Sequence, residues 1–276
     1  MFGRLFGAKT PILDSLPEVR GKYIENAKLA KHTWFGVGGP AEVLFLPEDA
    51  DDLKTFLMRK PAAIPVTVIG GGSNLLIRDG GIPGVVVKLD APAFRQVKFD
   101  GAEVTVGAGL KNSDLKKALI DNGVGGLEFI CSVPGRIGGL LRTNAGCFGK
   151  TVSDVFVRAH IMNDWGQIYE TGAEDFNFSY RSSMFPENWI VLDATLKGVK
   201  AAPEEIRKTM DEQLAYRLAH QPINKKTAGS TFKNPEGLQA WKLIKEAGCA
   251  GLKVGGAEVS DMHCNFLINR GKATAE

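Results

Sequence analysis

The apolar run at residues 66–69 breaks directly into Gly70, Gly71 and Gly72, and a second glycine-proline turn follows at residues 80–84. A strand feeding a glycine-rich loop is how several dinucleotide folds begin, but the Rossmann fingerprint needs its crossover helix to start where this second turn stands. The loop also lacks the lysine of a Walker motif. It is either a turn between strands or a loop whose backbone N–H groups wrap a pyrophosphate, with Ser73 and Asn74 adding donors.

The surrounding pattern points away from a doubly wound parallel sheet. Residues 41–45, 66–69, 85–89 and 103–106 read as strands, a second β-rich block spans 155–196, and IVLDATL is its clearest strand. Only two helices interrupt the first block. One covers about 49–59 with Leu53, Phe56 and Leu57 on one face, and one runs from Asn112 or Ser113 to just before Gly123. Pro203 opens the longest helical signal, with Ile206, Met210, Leu214 and Leu218 recurring at four-residue spacing to about Ala219. A helix over about 238–247 ended by Gly248 and a strand near 265–269 close the sequence. Strands in clusters with few helices between them predict an α+β fold.

At 276 residues the chain is long enough for two or three compact units. A net charge of +3, spread along the chain, lacks the basic runs of a nucleic-acid binder. Cys131, Cys147, Cys249 and Cys264 form no C-x-x-C pair, which argues against a zinc site or a disulfide framework and favours the cytosol. Residues 1–11 contain no apolar stretch of signal-peptide length, and no run reaches the roughly 18 apolar residues of a membrane helix.

Three further stretches can carry chemistry. SVPGRIGG and RTNAGCFG, at 132–139 and 142–149, form a glycine-rich region with little room for regular structure, read as a binding loop ahead of a plain surface turn. In FNFSYRSSMF, Arg181 supplies a forked cation suited to a carboxylate or enolate oxygen, although most arginines are simply solvated. In AGSTFKNP, Ser230 lies outside any G-x-S-x-G elbow, so acyl transfer is disfavoured and proton delivery to a basic carbon fits better.

Taken in order, GGGSNLL, the PGxIGG and NAG loops, YRSS, AGSTFKNP and VGGAEVSDMHCNFLIN resemble the UDP-N-acetylenolpyruvoylglucosamine reductase family of bacterial peptidoglycan synthesis. The similarity runs from residue 32 to residue 269. It implies an α+β chain whose FAD-binding fold is of the vanillyl-alcohol-oxidase (PCMH) type, in two subdomains over 33–90 and 91–199. A smaller α+β substrate-binding domain over 203–276 follows, and residues 1–32 form a lead-in segment. FAD would lie between Gly70, Gly71, Gly72, Ser73, Asn74 and Leu75 on one side and Pro134, Gly135, Ile137, Gly138, Gly139, Asn144, Ala145 and Gly146 on the other. NADPH is the implied co-substrate. Arg181 and Ser230 are the implied catalytic pair, with Tyr180, Arg217, Lys233, Asn234 and His263 against the nucleotide-sugar, and no metal. A cytosolic monomer that binds no nucleic acid and enters no membrane is expected.

The sequence departs from the family pattern in places. Ser132 and Arg136 replace small residues in the flavin loop, Thr143 replaces a hydrophobic residue, and Gly36 stands where arginine is common. The family's third catalytic group is a glutamate in a C-terminal tail, and this sequence is expected to lack it. An alternative reading follows: a homologue that binds FAD and the UDP-sugar without turning over. A third is another oxidoreductase on the same fold.

Overall fold

Residues 12–276 are described in the computed structural model of the chain. The reading of residues 1–11 lies outside them. Two sheets and the helices around them share one large core, and a third, small sheet closes the chain.

The first sheet contains β1 (Lys22–Lys28), β2 (Pro40–Leu46), β3 (Val66–Val68) and β4 (Ile82–Val87), in the order β1-β2-β4-β3. β4 runs parallel to both β2 and β3, whereas β1 is antiparallel on the outer edge of β2. Helix α1 (Ala50–Arg59) connects β2 to β3, and the Asp49 side chain caps it by accepting from the Asp52 N–H at 2.9 Å. β4 carries three consecutive valines because both faces of this sheet are covered. Val85 and Val87 enter the main core, while Val86 joins a smaller cluster with Leu29, Leu44, Ile69 and Ile77.

The next segment holds β5 (Val97–Asp100), β6 (Glu103–Gly107), helix α2 (Leu115–Asn122), the two-residue β7 (Val124–Gly125), α3 (Glu128–Ser132) and α4 (Ile137–Arg142). A small hairpin of β8 (Gly146–Cys147) and β9 (Lys150–Thr151) leads into β10 (Phe156–Met162), β11 (Ile168–Thr171), the single turn α5 (Ala173–Phe176), β12 (Ile190–Lys197) and β13 (Val199–Lys200). The second sheet is antiparallel throughout, ordered β11-β10-β12-β6-β5. Phe45 and Phe56 from the first layer, Val104, Val106 and Leu196 from the second sheet, and Phe129 and Leu141 from α3 and α4 belong to one buried cluster. The seam between the sheets is thus closed by helices and loops of the 128–146 stretch.

Helix α6 (Pro203–His220) packs on α2 and α3. Helix α7 (Ala240–Glu246) and the small sheet β14 (Lys253–Val254), β15 (Ala257–Val259) and β16 (Leu267–Asn269) complete the chain.

Three features differ from the sequence reading. Residues 22–28, taken as part of a lead-in segment, form the edge strand β1; only Ala27 of that strand is buried, so an edge position left no alternating pattern to read. The glycine-rich region after Ser132 contains helix α4. Gly138 brings the helix onto β6, its N–H donating to the Ala108 carbonyl at 3.0 Å, and buried Ile137, Leu140 and Leu141 override the poor helix propensity of two glycines. The four-residue stripe of α6 is used only in part: Ile206 and Met210 are buried, whereas Leu214 and Leu218 are exposed. The last turns of α6 run along a cleft instead of a core.

Candidate functional site

That cleft lies where the first sheet, the 132–147 stretch and the C-terminal segment meet. It has two adjoining lobes of about 500 and 310 Å3 that share Gly71, the residues 133–136, Arg217, Gly229 and Phe266.

One wall is the loop after β3. Gly72 has φ +66°, and a Cβ there would stand 1.9 Å from the His32 carbonyl oxygen, so only glycine fits. A Cβ on Gly71 would lie 2.9 Å from the Gly135 Cα. The two glycine-rich loops therefore face each other with bare backbone, as a pyrophosphate cradle requires.

The opposite wall is held by Asn112, which the sequence did not single out for the site, and by Arg136 and Ser132, the departures noted in the flavin loop. Fully buried Asn112 donates from its main chain to the Gly135 carbonyl at 3.1 Å and from Nδ2 to the Val133 carbonyl at 3.1 Å. Arg136 is buried and turned away from the cradle. Its Nη1 donates to the Gly109 carbonyl and, at 3.2 Å, to that of Leu89, and its Nη2 pairs with Asp90. The arginine that replaces a small residue here is a tie between the loop and the end of β4. The hydroxyl of Ser132 donates to the Phe129 carbonyl at 2.8 Å, so it too serves the loop.

Arg181 and Ser230 both line the smaller lobe, together with Gly70 to Leu75, Pro134, Gly135, Gly139, Ala145 and Gly146. Arg181 sits at the tip of a tight turn in which Ser179 and Ser182 exchange backbone hydrogen bonds of 3.0 and 3.2 Å; its φ is +57°. Ser230 is placed by pairing with the β16 side of the small sheet. Thr231 N–H donates to the Asn265 carbonyl at 2.8 Å, and the Asn265 side chain both accepts from Phe232 N–H and donates to its carbonyl, each at 2.9 Å. Asn265 is buried and is the splint of the AGSTF strand.

Arg217 lines both lobes. It donates to the Ser132 carbonyl and from Nε to Gln221 Oε1 at 2.9 Å, and burial holds its pKa below the ordinary arginine value. No aspartate or glutamate lines either lobe among the described residues, while Lys31, Lys111, Arg181 and Arg217 do; Lys88 and Arg136 also line the lobes but are paired with Asp90, and Arg142 is turned onto main-chain carbonyls. Such a wall favours anions.

Other residues named from the sequence sit elsewhere. Ile137 is in the main core and Gly138 packs on Ala108, so both support the loop from behind. Asn144 is buried with its amide fully used, Nδ2 donating to the Ser179 carbonyl at 3.0 Å and Oδ1 accepting from Ser153 N–H at 3.1 Å. Tyr180, Lys233 and Asn234 are exposed and line neither lobe, and the Asn234 N–H donates to the Tyr180 hydroxyl at 3.3 Å. The ring of His263 packs edge-on against Phe266 at 4.8 Å, and burial lowers its pKa, which keeps it neutral.

Residues 41–172 match a family profile described as "FAD binding domain", and residues 221–276 match one described as "UDP-N-acetylenolpyruvoylglucosamine reductase, C-terminal domain". A UDP-N-acetylenolpyruvoylglucosamine reductase of Bradyrhizobium sp. (strain ORS 278) is 48% identical over 268 residues, covering 97% of this chain and 87% of its own length. That of Paramagnetospirillum magneticum is 49% identical over 262 residues, 95% of this chain and 85% of its own. The chain belongs to the UDP-N-acetylenolpyruvoylglucosamine reductase family. The crystal structure of the Thermus caldophilus reductase superposes with a TM-score of 0.82 at 35% identity, over 94% of this chain and 91% of that one. A glucose dehydrogenase, Phl p 4.0202, superposes at a TM-score of 0.52 and 14% identity over 70% of this chain, and shares the flavin-binding fold alone. The architecture is the PCMH-type FAD-binding fold followed by a smaller α+β unit, as the α+β reading expected.

The described residues fit FAD. The bare backbone of Gly70 to Gly72 and of Gly135 lines the lobes, where N–H groups can face a pyrophosphate, and the unpaired cations of the lining suit its charge.

Proposed function

We propose that this chain reduces UDP-N-acetylglucosamine enolpyruvate to UDP-N-acetylmuramate with NADPH, acting as a monomer in the cytosol on a peptidoglycan precursor. The observation that carries this reading is that Arg181 and Ser230, far apart in sequence and on different structural units, line one lobe with both glycine loops. A protein that only bound the flavin and the sugar would have no use for that pairing, so the turnover reading is preferred.

Residues 33–199 form the flavin-binding unit and 203–276 the substrate-binding unit. Gly70 to Leu75, with Pro134, Gly135, Gly139, Ala145 and Gly146, would hold the cofactor, with Ile137, Gly138 and Asn144 fixing the loop behind them. FAD, when bound, would supply the hydride, taken from NADPH, that adds to the alkene carbon remote from the ether oxygen.

Charge then develops on the substrate's carboxylate side. The Arg181 guanidinium, fixed at the turn tip, offers two parallel N–H donors to that carboxylate and stabilises the enolate form. Ser230 Oγ gives its proton to the adjacent carbon, and the neighbouring cations lower the cost of the alkoxide it leaves. Arg217, in the lobe wall, and the exposed Lys233 and Asn234 meet the diphosphate, while Tyr180 and His263 bound the sugar.

Only the second half-reaction uses the Ser230 proton. Ser230→Ala is expected to leave flavin reduction by NADPH within about threefold of the parent and to slow reoxidation by the enolpyruvyl substrate by about two to three orders of magnitude. Anaerobic stopped-flow at the flavin band measures both. Equal slowing of the two steps would remove Ser230 from the proton-donor role.

A further inference from the structure

Arg142 ends α4 and lines the smaller lobe, yet its guanidinium is directed at main chain. Nη1 donates to the carbonyls of Phe185 at 2.6 Å and Pro186 at 2.8 Å, and Nη2 donates to that of Glu187 at 2.5 Å. The guanidinium carbon stands 4.7 Å from the centroid of the Phe185 ring. In the other direction, the Arg142 carbonyl accepts from Ser183 Oγ at 2.9 Å. Burial lowers the pKa of this arginine, with only a weak opposing effect from Glu187.

These contacts fall on the segment that leaves the Arg181 turn. The segment that enters it is held two residues further along, by Asn144 Nδ2 on the Ser179 carbonyl. Both legs of the turn are therefore fastened to the 142–144 stretch of the flavin loop. Between them Arg181 keeps a left-handed backbone, φ +57°, a conformation that persists in a non-glycine residue only where its surroundings impose it. An arginine that spends its donors on three successive carbonyls fixes a path of backbone and brings no partner charge with it.

We propose that Arg142 is a positioning residue for Arg181: it clamps the 183–187 leg so that the turn presents the Arg181 guanidinium to the lobe that holds Ser230. The proposal rests on the role given to Arg181 above. It couples the two sides of the cleft, because the segment that shapes the flavin cradle also sets the aim of the substrate cation.

The test uses the FAD-loaded full chain and four variants: Arg142→Gln, Arg142→Lys, Arg181→Ala and the double variant Arg142→Gln/Arg181→Ala. Stopped-flow separates flavin reduction from reoxidation, fluorescence titration reads FAD affinity, and amide hydrogen exchange reads residues 179–187 with no substrate present. Arg142→Gln should slow reoxidation by about 10- to 100-fold, while FAD affinity and reduction by NADPH stay within about threefold. Exchange in 179–187 should quicken by about tenfold or more. Arg142→Lys, which keeps the charge but cannot span three carbonyls, should recover only part of the loss. The double variant should be no slower than Arg181→Ala, since a clamp has nothing left to aim.

Additive losses in the double variant, full recovery by lysine, equal damage to both half-reactions or unchanged exchange would each overturn the proposal. If Arg142→Gln does not fold, the lysine variant carries the same comparisons. If Arg181→Ala leaves reoxidation intact, the reading of Arg181 is what fails, and unaltered or quickened exchange still decides separately whether Arg142 clamps the turn.

Discussion

Asp90 gathers three cations just beyond β4. Lys88 lies at 3.1 Å and Arg95 at 3.2 Å, and buried Arg136 forms the third pair. Burial works against the charged carboxylate, but Arg136 and Lys88 together outweigh it and hold Asp90 below the usual carboxylate range. Because the folded pKa is depressed, the stability Asp90 adds is complete above the unfolded value of about 4 and is lost as pH falls through the folded one. Asp90→Asn strands the Arg136 guanidinium, and a loss of about 3 kcal/mol at pH 7 is expected. Urea melts should show the gap between parent and variant narrowing below about pH 4. Arg136 has a second consequence for reading sequences. Beside a pyrophosphate loop, an arginine suggests a phosphate ligand, and nothing local reveals that its acceptors are the carbonyls of Leu89 and Gly109. Asn112 and Arg142 escaped notice for the same reason, since main-chain carbonyls brought near by folding leave no trace in residue types.

At the scale of elements, the facing loops are the sharpest constraint. Gly71→Ala would press a methyl group against Gly135, 2.9 Å from its Cα and 3.3 Å from its carbonyl carbon. The sheets do not depend on that position, so the far-UV spectrum should be unchanged while FAD affinity drops by about tenfold or more, measured by flavin fluorescence. This loop was legible from its glycines alone. So were the strands around residues 41–45, 85–89 and 190–196, whose apolar runs record burial on both faces, and α1, whose cap and inward face are written in Asp49, Leu53, Phe56 and Leu57. Helix α4 was not legible. Its stability comes from Ile137, Leu140 and Leu141 entering a core assembled from other segments, and propensity across Gly138 and Gly139 points the other way. Edge strand β1 was hidden too, for it buries almost nothing and survives by pairing with β2.

On the scale of the whole molecule, residues 269–275 are fastened to Phe35 and Asp79 by a few polar contacts. Asn269 Nδ2 donates to the Phe35 carbonyl at 2.7 Å, and its Oδ1 accepts from the N–H groups of Gly271 and Ala273. Asp79 and Ala275 exchange bonds, the Asp79 N–H to the Ala275 carbonyl at 3.1 Å and the Ala275 N–H to Asp79 Oδ1 at 3.0 Å. Asn269→Ala leaves the part-buried Phe35 carbonyl and two N–H groups without their partner, at a cost of about 1–3 kcal/mol. Limited proteolysis should then cut within 221–276 sooner than in the parent, with residues 41–172 still protected. Membership of the reductase family was readable along the chain because its loops keep their order, whereas this docking was not, since it joins residues 234 positions apart.

The same span has a meaning during synthesis. Both sheets and both glycine loops are synthesised before residues 226–275, and domains generally fold as units in the order they are made. Asn265, Asn269 and Ala275, which set Ser230 and tie to Phe35 and Asp79, come later in the chain than either sheet. The growing chain therefore passes through a stage in which the flavin cradle is assembled and its substrate side stands open, a doorway left wide until those later residues are made.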